Sequence, residues 1–334
     1  MGMAYQARIL CVPTCFTLST FQNKMARAKR LWVALFAILT ITFMLYLLRE
    51  QRLELGALRL TNPGLLLFAA GVHGVFWFVA IVFWRYAVRI TTHTTLSLAE
   101  SLRQLALVAV GKYIPGKVWG FFARGAALKQ STTTTTTGVL AATFVEQWAM
   151  LMSAGLIGGI LLLVLRPNQL LTAMGLAAVV TSLFGNHLFR VGNSAIQRVL
   201  SIFAVSKVHA QPTSLSWQQY MVLLLTHSLM WTLLGIVLAS VYFAFSPHPL
   251  SIELSAAIVL ANTVGIVVGF AALFAPGGIG VREAMTTVIL LPYMPIEQAS
   301  MLSIAFRLWT TAVDILLGLA LLSLSARSVS HNDS

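Results

Sequence analysis

Polar positions along this chain gather into short clusters, and between them lie long apolar runs. Runs at 31–48, 65–84, 138–165, 170–189, 220–245, 252–274 and 299–323 each approach the roughly 20 residues that carry a helix across the hydrocarbon core of a bilayer. Two further apolar stretches, 100–130 and 276–296, are interrupted by Gly, Pro and charge. Backbone of that kind survives at membrane depth only against protein or a wet cavity, so both are predicted to be re-entrant hairpins. The expected fold class is all-α: a polytopic bundle of seven membrane-spanning helices plus two re-entrant Pro-Gly hairpins.

Composition agrees with that picture. Of 334 residues, 58% are hydrophobic and 9% charged, where a soluble domain carries about 25% charged residues. The 22 Lys and Arg outnumber the 9 Asp and Glu. They flank apolar runs and form no single stripe, which argues against nucleic acid as a partner. Basic residues hold the cytoplasmic side of a membrane protein. Lys24, Arg27, Lys29, Arg30, Arg85, Arg89, Arg103, Arg190, Arg198 and Lys207 fall on one side of the predicted spans, against Arg49, Arg52, Arg59 and Arg166 on the other. The N-terminus is therefore expected in the cytoplasm, with the chain in the inner or plasma membrane.

Cys11 and Cys15 are the only cysteines, too few for a disulfide framework or a cysteine-rich metal site. Neither H-E-x-x-H nor the phosphate-cradling G-x-x-x-x-G-K-[ST] occurs, so no metal, no cofactor and no enzyme activity is expected. Met25 opens MARAKRLWVALF, an ordinary basic start before a first span. Residues 1–24 are accordingly expected to be an N-terminal tail or an upstream mis-start, 25–325 the membrane domain, and 326–334 a C-terminal tail. The threonine run Thr132 to Thr137 reads as a polar lead-in to the span that follows it.

An internal repeat is the most informative feature. Pro115-Gly116 in YIPGKVWGFFAR recurs as Pro276-Gly277 in FAPGGIGVRE, 161 residues on, without a gap. At the same offset Glu146, two before Trp148, answers to Arg307, two before Trp309. Each copy is a Pro-Gly turn followed by a span with one ionisable residue, and the two signs are opposite. Duplicated halves place substrate sites at their interface in many transporters. The span count puts both turns on one side, giving parallel halves; one span more or fewer would invert them.

Ionisable residues inside spans cost about 2.5–3.5 kcal/mol each on insertion scales and face the protein interior. Glu146, Arg307 and Asp314 are such residues. Arg307 and Asp314 share one helix face, and Glu146 is the natural partner of Arg307 by the repeat. Lys112, Lys117 and Arg124, with Lys129 further out, surround the first turn, where backbone N–H groups could hold an oxyanion. The glycines of the second turn allow positive φ and close backbone approach, and Arg282 and Glu283 then open a helix, where an acid suits the dipole. His73, His227, Asn186 and Asn262, also in apolar runs, are expected to make interhelical hydrogen bonds.

IPGKVWGFFAR, FVEQW and above all APGGIGVREA, followed by a span with Arg and Asp, resemble the integral membrane region of lysylphosphatidylglycerol synthases, the flippase-like domain family. The similarity covers roughly residues 30–325, and the P-G-G-x-G-x-R-E block is its most specific part. The resemblance implies movement of an aminoacylated phospholipid between leaflets, and stand-alone members occur with glycosyltransferases. It implies functional roles for Pro115, Gly116, Arg124, Glu146, Pro276, Gly277, Gly278, Gly280, Arg282, Glu283, Arg307 and Asp314. Trp119 and Phe122 depart from the family pattern in the first block, which bears on headgroup preference.

The expected function is translocation of a glyco- or aminoacyl-phospholipid or lipid-linked sugar between leaflets. Lys112, Lys117, Arg124 or Arg282 would hold the phosphate, and Glu146, Arg307 and Asp314 would line the path. The expected partners are membrane lipids with an anionic or lipid-linked headgroup, and a glycosyltransferase or aminoacyl transferase. The alternatives are a non-catalytic membrane subunit anchoring such a transferase, or, with less support, a polytopic transferase. Glu50 and Glu54 are a poor version of the outer-loop acidic pair that a transferase would use.

Overall fold

The structure, a computed structural model, describes residues 42, 60–112, 119–131, 136–202, 215–246, 249–272, 275 and 278–330. All but residue 42 belong to one compact unit, Leu47–Ser334. The expected tail 1–24, the span at 31–48 apart from residue 42, and the end of the C-terminal tail lie outside the described residues. So do Pro115, Gly116, Lys117, Pro276 and Gly277.

Among the described residues the chain is helical, without strands. The helices are α1 (Pro63–Thr92), α2 (Leu98–Gly111), α3 (Trp119–Ser131), α4 (Thr136–Leu165), α5 (Gln169–Leu183), α6 (Gly185–Ile202), α7 (Trp217–Phe245), α8 (Ile252–Ala271), α9 (Val281–Leu290) and α10 (Ile296–Ser330). Side chains fix the starts. Ser97, Asn168, Ser216 and Ser251 each accept a hydrogen bond from a backbone N–H three residues on, satisfying donors that a helix start leaves open.

Among the described residues five helices, α1, α4, α7, α8 and α10, are long and apolar enough to cross a membrane. The run predicted as one span at 170–189 is instead a broken pair, α5 and α6, bent by 65°. Here Gly185 lies so close to the Tyr220 ring that no side chain fits.

Two apolar clusters mark the two ends of the bundle. In one, which we call the near face, Val237 and Phe243 late in α7 gather Leu65 of α1, Leu165 of α4, Leu254 of α8, Leu290 of α9 and Ala299 of α10. The amides of Thr61 and Asn62 donate to Ala244 O at 2.9 and 3.0 Å, which ties the start of α1 to the end of α7. In the other, the far face, Val88 late in α1 meets Leu96, Leu128 of α3, Val139 and Ala142 early in α4, and Leu215 just before α7.

The direction of each element follows. α1 runs from near to far, and α2 and α3 then form a hairpin entering from the far face, with Gly120 of α3 against the Val108 backbone of α2. α4 crosses back to the near face. α7 also runs from far to near. α8 enters from the near face, and α9 folds back along it: Gly265 packs on Thr286 and Gly269 on Arg282. The 10 residues of α9 rise about 15 Å, half of a hydrocarbon core about 30 Å thick. α10 then crosses from near to far.

This corrects the expected relation of the halves. The run at 252–274 is long enough to cross, yet it serves as the first arm of a hairpin whose return is α9. Helix, hairpin, helix occurs twice, as α1, α2–α3, α4 and as α7, α8–α9, α10, with opposite directions. The repeat is inverted, and its two hairpins enter from opposite faces.

Candidate functional site

Described residues of both hairpins and of the helices beside them line a cavity of about 320 Å³ between the two halves. Lys112, Glu146, Arg282, Arg307 and Asp314, five of the residues expected to line the path, are in its wall. Arg124 and Glu283 stand behind it, each holding a wall residue. Gly278 and Gly280 shape the second tip, with φ of 75° and 81°. Gly278 sits where an added Cβ would lie 3.0 Å from the backbone of Gly269. The amide of Gly280 donates to Glu283 Oε2 at 2.8 Å, so the glycine turn also orients the acid.

The wall repeats itself across the two halves. Leu105 of α2 answers to Ile266 of α8, and Glu146 of α4 to Arg307 of α10, both at the 161-residue offset. On the central helices His73 and Trp77 of α1 answer to His227 and Trp231 of α7, 154 residues on. The sequence had assigned the two histidines to interhelical hydrogen bonds, and they make them. Trp309 Nε1 donates to His73 Nδ1 at 2.9 Å, and His227 Nδ1 lies 3.1 Å from Ser153 Oγ. Their place in the cavity was missed. The signal, H-x-x-x-W in two apolar runs, is legible in the sequence.

Two of the charge pairs stay inside one half. Arg124 is 1% exposed and grips Glu146 with both terminal nitrogens, Nη1 to Oε1 at 2.9 Å and Nη2 to Oε2 at 2.5 Å. Its guanidinium carbon lies 3.7 Å from the centre of the Trp84 ring, and Trp84 Nε1 donates to Gln104 at 2.8 Å. In the second half, Arg307 Nε is 3.7 Å from Glu283 Oε1, an ionic contact too long for a hydrogen bond. The expected pairing of Arg307 with Glu146 is therefore corrected: each takes a partner from the short hairpin helix that precedes it. A third pair, Lys112 Nζ to Asp314 Oδ2 at 2.6 Å, joins the first hairpin to α10.

The remaining expected residues fall nearby. Arg282 Nη2 lies 3.4 Å from Asn262 Oδ1, between the arms of the second hairpin, and the guanidinium carbon of Arg282 is 5.0 Å from the centre of the Phe306 ring. Asn186 is buried at the α5–α6 bend, and neither side-chain amide atom has a hydrogen-bond partner among the described residues. Two wall residues, Trp77 and Gln147, each bury a polar atom, Nε1 and Oε1, that likewise has none. One is a donor and one an acceptor. With arginine, lysine and carboxylate groups in the same wall, the cavity offers charge of both signs together with a hydrogen-bond donor and an acceptor. Among the described residues, no three His, Cys, Asp or Glu converge as a metal site would need.

Fold and site thus define a multi-pass membrane protein with a charged cavity between two inverted halves. The family described as lysylphosphatidylglycerol synthase TM region matches residues 35–318, and the chain belongs to that family. No curated protein and no solved structure matches it.

Proposed function

We propose that this protein carries the headgroup of a phospholipid or lipid-linked sugar from one leaflet to the other through the cavity between its halves, while the lipid tails stay in the bilayer. The observation that carries this reading is the cavity itself. Glu146, Arg307 and Asp314 in its wall sit on helices that cross the membrane, where each such charge has a cost that only function or pairing offsets, and Lys112 and Arg282 reach it from the hairpins. The hairpins enter from opposite faces, so one site is within reach of both, as in transporters built from inverted repeats. A volume near 320 Å³ lies at the small end of ligand pockets, about 300–1,000 Å³, and suits one headgroup better than an oligosaccharide.

Arg85, Arg89, Arg103 and Arg190 lie on the elements that end or begin at the far face, and Arg166 lies at the near face. By the positive-inside rule the far face is the cytoplasmic one, in a cell membrane. A partner transferase would supply the modified lipid there.

The test is reconstitution of the purified protein in phosphatidylcholine liposomes that carry fluorescent lipids with glycerol, ethanolamine, aminoacyl-glycerol or polyprenyl phosphate heads. Faster exchange of at least one head between leaflets than in protein-free liposomes is expected. If every head stays in place, the reading fails and the anchoring-subunit alternative takes its place.

A further inference from the structure

Among the described residues three ion pairs touch the cavity, and they differ in what they join. Arg124 with Glu146, and Glu283 with Arg307, each bind a hairpin helix to the next helix of the same half. These two are alike in plan with their signs exchanged, although only Glu146 and Arg307 stand at the 161-residue offset, Arg124 answering to Met285 and Glu283 to Phe122. Lys112 with Asp314 is different. Lys112 caps the end of α2 in the first hairpin, and Asp314 is on α10 of the second half. Among the described residues it is the ion pair that links one half to the other. The repeat gives it no counterpart, because Ser153 occupies the position equivalent to Asp314 and Leu273 the one equivalent to Lys112.

We infer that the Lys112–Asp314 pair is a latch between the inverted halves, opened when the phosphate of a lipid headgroup takes Lys112 from Asp314. The ligand's identity rests on the translocation reading above. Two inverted halves can expose one cavity to each face in turn only if they move against each other, and a pair that bridges them must part when they do. The pairs inside each half travel with it and need not break.

The two partners are unequal in a way that suits exchange. The Asp314 side chain is 6% exposed and that of Lys112 39%, so the lysine reaches the open part of the cavity while the acid stays in the wall. A lysine ammonium is a compact charge on a flexible stem that can rotate from a carboxylate to a phosphate. Headgroups without an anion have nothing to offer it, so the latch also filters what is moved.

The test uses the full chain with Cys11 and Cys15 replaced by Ser, and single cysteines at the equivalent wall positions Leu105→Cys or Ile266→Cys. Each is labelled in proteoliposomes with a membrane-impermeant maleimide from either face. The expected result is that Asp314→Asn, and separately Lys112→Gln, changes the two labelling rates in opposite directions by about fivefold or more, the lower end of typical coupling between sites. Soluble dihexanoyl phosphatidylglycerol should produce the same change with the native pair in place, which needs no variant to fold, and dihexanoylglycerol, lacking the phosphate, should not. Labelling that ignores both substitutions and the phospholipid overturns the latch, as does an equal response to dihexanoylglycerol. If labelling shifts as expected while no lipid crosses the liposomes, the latch stands and translocation falls. If lipid crosses while labelling never shifts, the latch falls and translocation stands.

Discussion

Glu146 and Arg307 occupy equivalent places in the two halves and face the same cavity, yet each is held within its own half, Glu146 by Arg124 and Arg307 by Glu283. The sign reversal seen in the repeat is thereby explained. In each half an acid meets a base, and only their order along the chain is exchanged. Both charges are paired at membrane depth, and neither of these pairs ties the halves together.

The tighter of these pairs should dominate stability. Removing one partner of a buried pair leaves the other charge uncompensated, which costs about 3–5 kcal/mol. Arg124→Ala should therefore lower the thermal midpoint of the purified protein in detergent by more than any single substitution of Lys112, whose side chain is 39% exposed. Exchanging the charges, Arg124→Glu with Glu146→Arg, should recover part of the loss. A melting curve followed by tryptophan fluorescence checks the order.

The glycine turn makes a graded prediction. Both Gly278 and Gly280 have positive φ, a backbone state that costs another residue roughly 1–2 kcal/mol. Around Gly280 a new Cβ meets nothing, whereas at Gly278 it presses on the Gly269 backbone. Gly278→Ala should thus destabilise more than Gly280→Ala. Equal midpoints for the two variants would show that the second hairpin does not pack against itself as described.

Inversion of the halves is testable without any transport. Thr94 lies in the loop between α1 and α2 at the far face, and Tyr293 in the turn between α9 and α10 at the near face. In a chain lacking Cys11 and Cys15, Thr94→Cys and Tyr293→Cys should be labelled by an impermeant thiol reagent from opposite sides of the membrane. Labelling of both from one side would restore the parallel arrangement that the span count predicts.

Much of this was legible in the sequence, and the misses have physical causes. Long apolar runs announce α1, α4, α7 and α10 because lipid demands them. The first hairpin is betrayed by Pro-Gly among lysines. α8 was misread because an apolar run of 20 residues looks the same whether it faces lipid across a full crossing or lies buried as a hairpin arm. That single misreading turned inverted halves into parallel ones. The pairing of Arg307 was misread because the repeat sets Glu146 and Arg307 side by side on paper, while the chain brings each closer to its own hairpin helix. The His-x-x-x-Trp motif falls out of register with the 161-residue repeat because its copies lie 154 apart. α8, at 20 residues, outlasts α2, at 14, by nearly two helical turns, and the extra turns shift the register between the central helices and the hairpins.

The most direct test of the account compares leaflet translocation of fluorescent phospholipids by the wild type with that by Glu146→Gln and Arg307→Gln, in liposomes holding equal amounts of folded protein. The account predicts that the wild type moves lipid and that each variant loses at least about tenfold in rate, a barrier change of about 1.4 kcal/mol. Variants that fold and move lipid at the wild-type rate would contradict it, because the charges at the centre of the cavity would then have no part in the path.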